Sequence, residues 1–128
     1  MSNTPQYTLE KPLVKDLVKE KVLVLDGAMG TMIQEYKFTE EDYRGSRFAT
    51  YEHPLQGNND LLTLTQPEAI QSIHEKYLAA GADIIETNTF SCTTIAMADY
   101  YMEDLVYELN YEATKIALKA ATYSIYFP

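Results

Sequence analysis

Two short polar segments carry the residue types best suited to binding a small ligand. The first is Asp26-Gly27-Ala28-Met29 and the second is Glu86-Thr87-Asn88. A carboxylate such as Asp26 suits an ammonium group, and the free N–H groups at the start of a following helix suit a carboxylate. Together they would hold an amino acid by its two charged ends. Two structural alternatives stay open, in which Asp26 only caps the helix and Glu86 only forms an ion pair.

The remaining chemically active side chains favour structural roles. The single cysteine, Cys92, excludes a disulfide framework and a cysteine-based zinc cage in this chain. A lone cysteine is typically a small buried hydrophobe. His74 lies on the apolar stripe of a predicted helix, which is typical of a packed histidine with satisfied hydrogen bonds. Neither a Walker pattern nor a G-x-G-x-x-G pattern occurs. We therefore predict no catalytic residue and no metal ligand in the chain.

Each polar segment follows an apolar run that predicts a β-strand. Residues 22–25 form a continuous apolar run, which is typical of a strand buried on both faces of a parallel sheet. Residues 82–87 predict a second strand. Because the carboxyl ends of parallel strands meet at one rim, we expect the two polar segments to lie close together.

Helical patterns alternate with these strands and predict an α/β fold with right-handed βαβ units. Thr65 and Glu68 have capping-box spacing, and Gly81 suits a left-handed helix end. With only two convincing strands and a possible third at 123–128, the pattern resembles the opening of a larger α/β structure. Helices are predicted at residues 13–18, 28–37, 65–81, 95–98 and 103–121, and a long loop at 38–60.

Composition limits the classes of partner. The chain has 128 residues, enough for one domain, and a net charge of -9, which argues against nucleic acid and anionic membranes. The N-terminus lacks a signal-peptide pattern, and no apolar run approaches the ~20 residues of a membrane span. We predict a cytoplasmic protein with a flexible lead-in at 1–12, a domain at 13–121 and an atypical tail at 122–128.

Four blocks of sequence resemble a known family. They resemble the start of the homocysteine-binding domain of cobalamin-dependent methionine synthases, occur in the family's order and cover about residues 13–120. The blocks are Val22–Gln34, Gly57–Leu62 followed by Leu64–Pro67, Ala80–Ser91, and Thr94–Tyr100 with Met102–Asn110.

The resemblance implies a (β/α)8 TIM barrel, of which this chain would carry the opening βα units and remain incomplete. Such enzymes transfer a methyl group from methylcobalamin, supplied by methyltetrahydrofolate, to zinc-bound homocysteine, which makes methionine. The chain would contribute part of the homocysteine pocket, with the rest of the barrel and the folate and cobalamin modules as partners. The implied substrate-binding residues are Asp26, Gly27, Ala28, Met29, Glu86, Thr87 and Asn88.

The same resemblance implies zinc and cobalamin for the parent enzyme. Neither is expected to bind this chain alone, because the family's zinc cysteines lie on later strands and Cys92 is not at a zinc position. Two other functions stay open. One is a cobalamin-independent homocysteine methyltransferase that uses betaine or S-methylmethionine, although the segment 32–62 favours the cobalamin type. The other is a non-catalytic interaction protein whose open sheet edge pairs with a partner.

Overall fold

Seven α-helices and three short 3-10 helices make up most of the described chain. The computed structural model describes the backbone of residues 13–126 and the side chains of residues 13–124, so the predicted lead-in at 1–12 lies outside the described residues. The helices are α1 (Val14–Leu17), α2 (Met29–Tyr36), α3 (Glu40–Arg44), α4 (Leu62–Thr65), α5 (Pro67–Ala79), α6 (Thr94–Met97) and α7 (Val106–Tyr126), with 3-10 helices at Asn59–Leu61, Ala98–Tyr100 and Glu103–Leu105.

The prediction of an α/β fold with opening βα units of a TIM barrel is wrong for this structure. Within residues 13–126 no strand or sheet forms, and the two predicted strands meet only at an isolated parallel bridge between Leu25 and Ile84. The Asp26 N–H donates to the Ile84 carbonyl at 2.9 Å, and the Asp83 N–H donates to the Val24 carbonyl at 2.8 Å. The two segments therefore run side by side without a continuous ladder.

The lack of further neighbours explains this difference. Parallel strands are stabilised when other strands pair with their edges and helices cover both faces. Here three residues of the apolar run 22–25 stay exposed, at 88% for Val22, 53% for Val24 and 51% for Leu25. The apolar run contributes little burial, and the pairing stops at a single bridge.

The packed body of the molecule is formed by the 3-10 helix Asn59–Leu61 and by α4, α5 and α7. Ile70 and Ile73 on α5 are fully buried, as are Leu61 and Leu62 at the start of α4. Helix α7 turns a stripe of buried residues toward them at spacings of three and four, which confirms the predicted inner face of the long helix. This stripe comprises Leu109, Ala113, Ile116, Ala117 and Ala120.

Residues 38–60, predicted as a loop, contain helix α3. Its capping box joins Thr39 and Asp42, and the acidic run 40–42 forms its first turn, where negative charge favours a helix. The Arg44 guanidinium donates to the carbonyls of Phe48, Tyr51 and His53. The segment after α3 is thus ordered around one side chain.

The ends of α5 agree only in part with prediction. The capping box of Thr65 and Glu68 is wrong, because Gln66 is the N-cap and its side chain makes no capping bond. Gly81 does adopt the predicted left-handed conformation, with φ of 108°.

The prediction of a possible third strand is wrong over its described part, since α7 continues to Tyr126. Within residues 13–126, no helix combines the length and apolar character that a membrane span requires.

Candidate functional site

The two polar segments line one cavity of about 520 Å³. The bridge between Leu25 and Ile84 places their first residues side by side. Six of the seven predicted substrate-binding residues border this cavity; the exception is Ala28, whose carbonyl accepts a hydrogen bond from the Tyr77 hydroxyl at 3.2 Å. The lining residues are Asp26, Gly27, Met29, Gly30, Glu86, Thr87, Asn88, Thr89 and Phe90.

Asp26 joins the two segments directly. Its Oδ2 accepts the N–H of Glu86 at 3.0 Å. It does not cap the next helix, because α2 has Ala28 as its N-cap and no side-chain capping bond. Among the described residues neither Asp26 nor Glu86 forms an ion pair, so both structural alternatives raised from the sequence are wrong here. The charge of Asp26 remains available to a cationic ligand group.

Gly27 allows the first polar segment to pass close to α5. A Cβ at this position would lie 2.8 Å from Cε1 and 2.9 Å from the hydroxyl oxygen of Tyr77. Such distances are too short for real carbon contacts, so any larger residue must displace the ring. The absence of a side chain at Gly27 therefore fixes how closely the cavity wall approaches the helical body.

The second polar segment is hydrogen-bonded to the packed body. Asn88 is 5% exposed, and its Nδ2 donates to the Asn59 carbonyl at 2.9 Å. The hydroxyls of Thr87 and Thr89 share a hydrogen bond of 2.7 Å. The pair has two O–H groups and uses one between them, which leaves one to donate to a ligand.

A second cavity of about 310 Å³ adjoins the first and shares four lining residues with it, namely Met29, Gly30, Asn88 and Phe90. Asp60 also lines it and is only 4% exposed. Its Oδ2 accepts the Ser91 N–H at 3.1 Å. Burial raises the pKa of the Asp60 carboxyl, while the backbone N–H groups of Ser91 and Phe90 oppose that rise.

Sequence reasoning did not assign a site role to Asn59 or Asp60. Both lie in the Gly57–Leu62 block, which entered only through the family resemblance. A signal was present in the residue types, because Asp60 directly precedes the apolar pair Leu61-Leu62. A carboxylate next to apolar residues either faces solvent or, where it is buried, needs hydrogen-bond partners.

The described residues do not fit a zinc site. No three His, Cys, Asp or Glu side chains between residues 13 and 126 lie close enough to hold a metal ion. Cys92 is 5% exposed, its Sγ accepts from Asn110 Nδ2 at 3.2 Å, and burial together with the charge of Asp60 raises its pKa to about 11. A thiol with that pKa stays protonated at neutral pH, and no set of further metal ligands surrounds it among the described residues.

His74 also lacks the features of a ligand. It is completely buried, as its position on the apolar stripe predicts. The expected hydrogen bonds are absent, since neither ring nitrogen has a partner among the described residues. Burial lowers the pKa of His74, although the nearby charge of Asp26 opposes this, so the ring is neutral at pH 7.

Comparison with known families agrees with the chemistry of the cavity. The family model for homocysteine S-methyltransferase matches residues 23–125. This range includes both polar segments, the Gly57–Leu62 block and nearly all of the packed body, and it covers well over half of the 128 residues. The chain therefore belongs to the homocysteine S-methyltransferase family.

Proposed function

We propose that the 520 Å³ cavity between the two polar segments binds homocysteine for methylation of its sulfur. One observation carries this proposal. Asp26 lies on the cavity wall, is joined to the N–H of Glu86, and has no cationic partner among the described residues. An amino acid supplies the ammonium group that such a carboxylate lacks.

The other cavity residues supply complementary contacts. The free O–H of the Thr87 and Thr89 pair donates to the ligand carboxylate. Met29 offers a polarisable apolar surface to the thiol-bearing chain. The cavity volume falls within the ~300–1,000 Å³ typical of small-molecule sites.

At a finer level we propose that the methyltransferase is of the cobalamin-dependent methionine synthase type. The four sequence blocks support this choice, above all the Gly57–Leu62 block. When bound, zinc would stabilise the homocysteine thiolate and methylcobalamin would supply the methyl group. We infer that both would be held by polypeptide other than the described residues, because no three potential metal ligands lie together there and the sequence blocks resemble only the homocysteine-binding part of such enzymes.

Calorimetric titration of the 128-residue chain with L-homocysteine tests the binding proposal. We expect Asp26→Asn to weaken binding by at least about tenfold, since a charge-assisted hydrogen bond becomes a neutral one. The amide oxygen still accepts the Glu86 N–H, so the wall keeps its shape. Added zinc is expected to leave the isotherm unchanged.

Asp16→Asn is the matched control, because Asp16 forms only an exposed ion pair with Lys19 on α1. It should bind homocysteine within twofold of the unchanged chain. A second control is 4-mercaptobutanoate, which lacks the ammonium group and should not distinguish Asp26→Asn from the unchanged chain. Equal homocysteine affinity in both variants, or no binding at all, would contradict the proposal.

A further inference from the structure

We propose that Asp60 is a positioning residue for the homocysteine site and acts through the segment 88–91. This inference rests on the proposed function. The Asp60 carboxylate is 4% exposed, accepts the Ser91 N–H at 3.1 Å, and forms no ion pair with any described residue. Its contact with the site is therefore made through the backbone just after the second polar segment.

The segment needs such support because backbone pairing ends before it. The bridge joins Leu25 to Ile84, and the last bond across it is the one from Glu86 N–H to Asp26. Beyond Glu86 no neighbouring strand holds the chain. The direction of residues 88–91 then depends on bonds from another part of the molecule.

Those bonds come from one stretch, residues 59–63. The Asn59 carbonyl accepts from Asn88 Nδ2 at 2.9 Å, and Thr63 Oγ1 accepts from the same nitrogen at 3.4 Å. Asp60 adds the bond to Ser91. The stretch is itself anchored to α3, since the Tyr43 hydroxyl donates to Asn59 Oδ1 at 2.8 Å. The helical body thus takes the place that a sheet neighbour would have.

Asp60 is the member of this group whose burial is hardest to explain by stability alone. A buried carboxylate without a cation is unfavourable, and the backbone N–H groups offset only part of that penalty. By accepting the Ser91 N–H it holds the backbone next to Phe90, which lines both cavities. Phe90 is fully exposed, so no packing of its own ring holds it in place. The position of this wall is therefore set by the backbone that Asp60 holds.

The test compares Asp60→Ala with Thr93→Ala by homocysteine titration. Thr93 is a matched control, because its hydroxyl also accepts one backbone N–H, that of Ala96 at 3.2 Å, but it lines neither cavity. We expect Asp60→Ala to weaken homocysteine binding about tenfold and Thr93→Ala to leave it within twofold. Asp60→Asn should restore most of the affinity, because its amide oxygen still accepts the Ser91 N–H.

A second readout needs no ligand. Hydrogen exchange at the Ser91 amide should accelerate at least tenfold in Asp60→Ala and stay unchanged in Thr93→Ala. If Asp60→Ala does not fold, Asp60→Leu replaces it, since leucine fills the site and offers no acceptor.

The outcomes separate the two proposals. Unchanged affinity and unchanged Ser91 exchange in the acceptor-free variants would overturn the positioning role and leave the proposed function standing. If the unchanged chain binds no homocysteine, the proposed function fails. The exchange of Ser91 in the ligand-free variants then still decides whether Asp60 holds the segment.

Discussion

The packed helical body and the paired segments 22–26 and 83–87 both contain apolar side chains, but these side chains differ sharply in burial. Leu61 and Ile73 in the body are completely buried, whereas Val22 is 88% exposed and Leu25 is 51% exposed. A helix buries its stripe against helices that follow closely in the chain. A parallel strand requires partners on both edges and both faces. Apolar character therefore determines burial only where the neighbours exist.

The candidate site lies where these two regions meet. The 520 Å³ cavity is bordered by the two polar segments and the start of α2, and the adjoining cavity adds residues 57–60. The body supplies the hydrogen bonds that position the wall, and the segments supply the charged and hydroxyl groups that face the cavity. The following experiments test whether the two regions differ in stability as much as in burial.

The largest expected difference is between core and segment truncations. Ile73→Ala removes a fully buried side chain from α5 and should lower the free energy of unfolding by about 2–5 kcal/mol. Val24→Ala removes methyl groups that are already half exposed and should cost less than about 0.5 kcal/mol. Urea unfolding followed by circular dichroism measures both. Similar losses in the two variants would show that the segments are as well packed as the body.

The alkylation rate of Cys92 tests how well its side chain is buried in the hydrophobic core. Its pKa of about 11 and its burial should make iodoacetamide alkylation at pH 8 at least about 100-fold slower than that of a free thiol, whose pKa is about 8.5. Mass spectrometry follows the reaction at the single cysteine. In urea above the unfolding midpoint the rate should rise to that of free cysteine, which serves as the internal control. Fast alkylation of the native chain would contradict the packing around this residue.

Alanine substitutions at two glycines compare a position packed against Tyr77 of α5 with a position that has open space around it. Gly27→Ala should destabilise the chain by about 1–3 kcal/mol, because the new methyl group would overlap the Tyr77 ring and break its bond to Ala28. Gly30→Ala is the matched control, since its nearest neighbour would lie 3.9 Å away, and alanine should stabilise α2 by up to about 1 kcal/mol. Thermal unfolding of the two variants decides between these signs. Equal effects would remove the evidence for close approach at Gly27.

The smallest expected effect is a difference in pH dependence. Lys21 and the Val24 N–H lower the pKa of Asp83, so its stabilisation is present above the ordinary value of 3.8 and is lost as pH falls through the lowered folded value. Burial raises the pKa of Asp60, so its penalty grows as pH rises from 3.8 through the raised folded value. The two carboxylates thus act in opposite directions.

Urea unfolding between pH 3 and pH 7 separates them. Asp83→Asn should reduce stability at pH 7 and weaken the acid dependence below about pH 4. Asp60→Asn should remove a fall in stability that begins as pH rises above 3.8. The unchanged chain at each pH is the reference. The same pH response in both variants would contradict the opposite environments of the two groups.

Much of the helical structure could be predicted from the sequence, because helices depend on residues three and four positions apart. The predicted helices at 28–37 and 103–121 agree closely with α2 and with α7 and its preceding 3-10 turn. Helix α3 was missed, since its five residues carry no apolar period. The spacing of Thr39 and Asp42 is a capping-box signal that the sequence already contains, whereas the Arg44 contacts are seen only in the folded chain.

The sequence by itself determined the local helices and the two polar segments that line the candidate cavity, because both follow from patterns within a few residues. Only the tertiary structure decided that residues 22–25 and 82–87 form a single bridge rather than a sheet. It also decided that Asp60 reaches Ser91, 31 positions away along the chain. Burial and long-range hydrogen bonds depend on which distant residues become neighbours, and no local pattern specifies that.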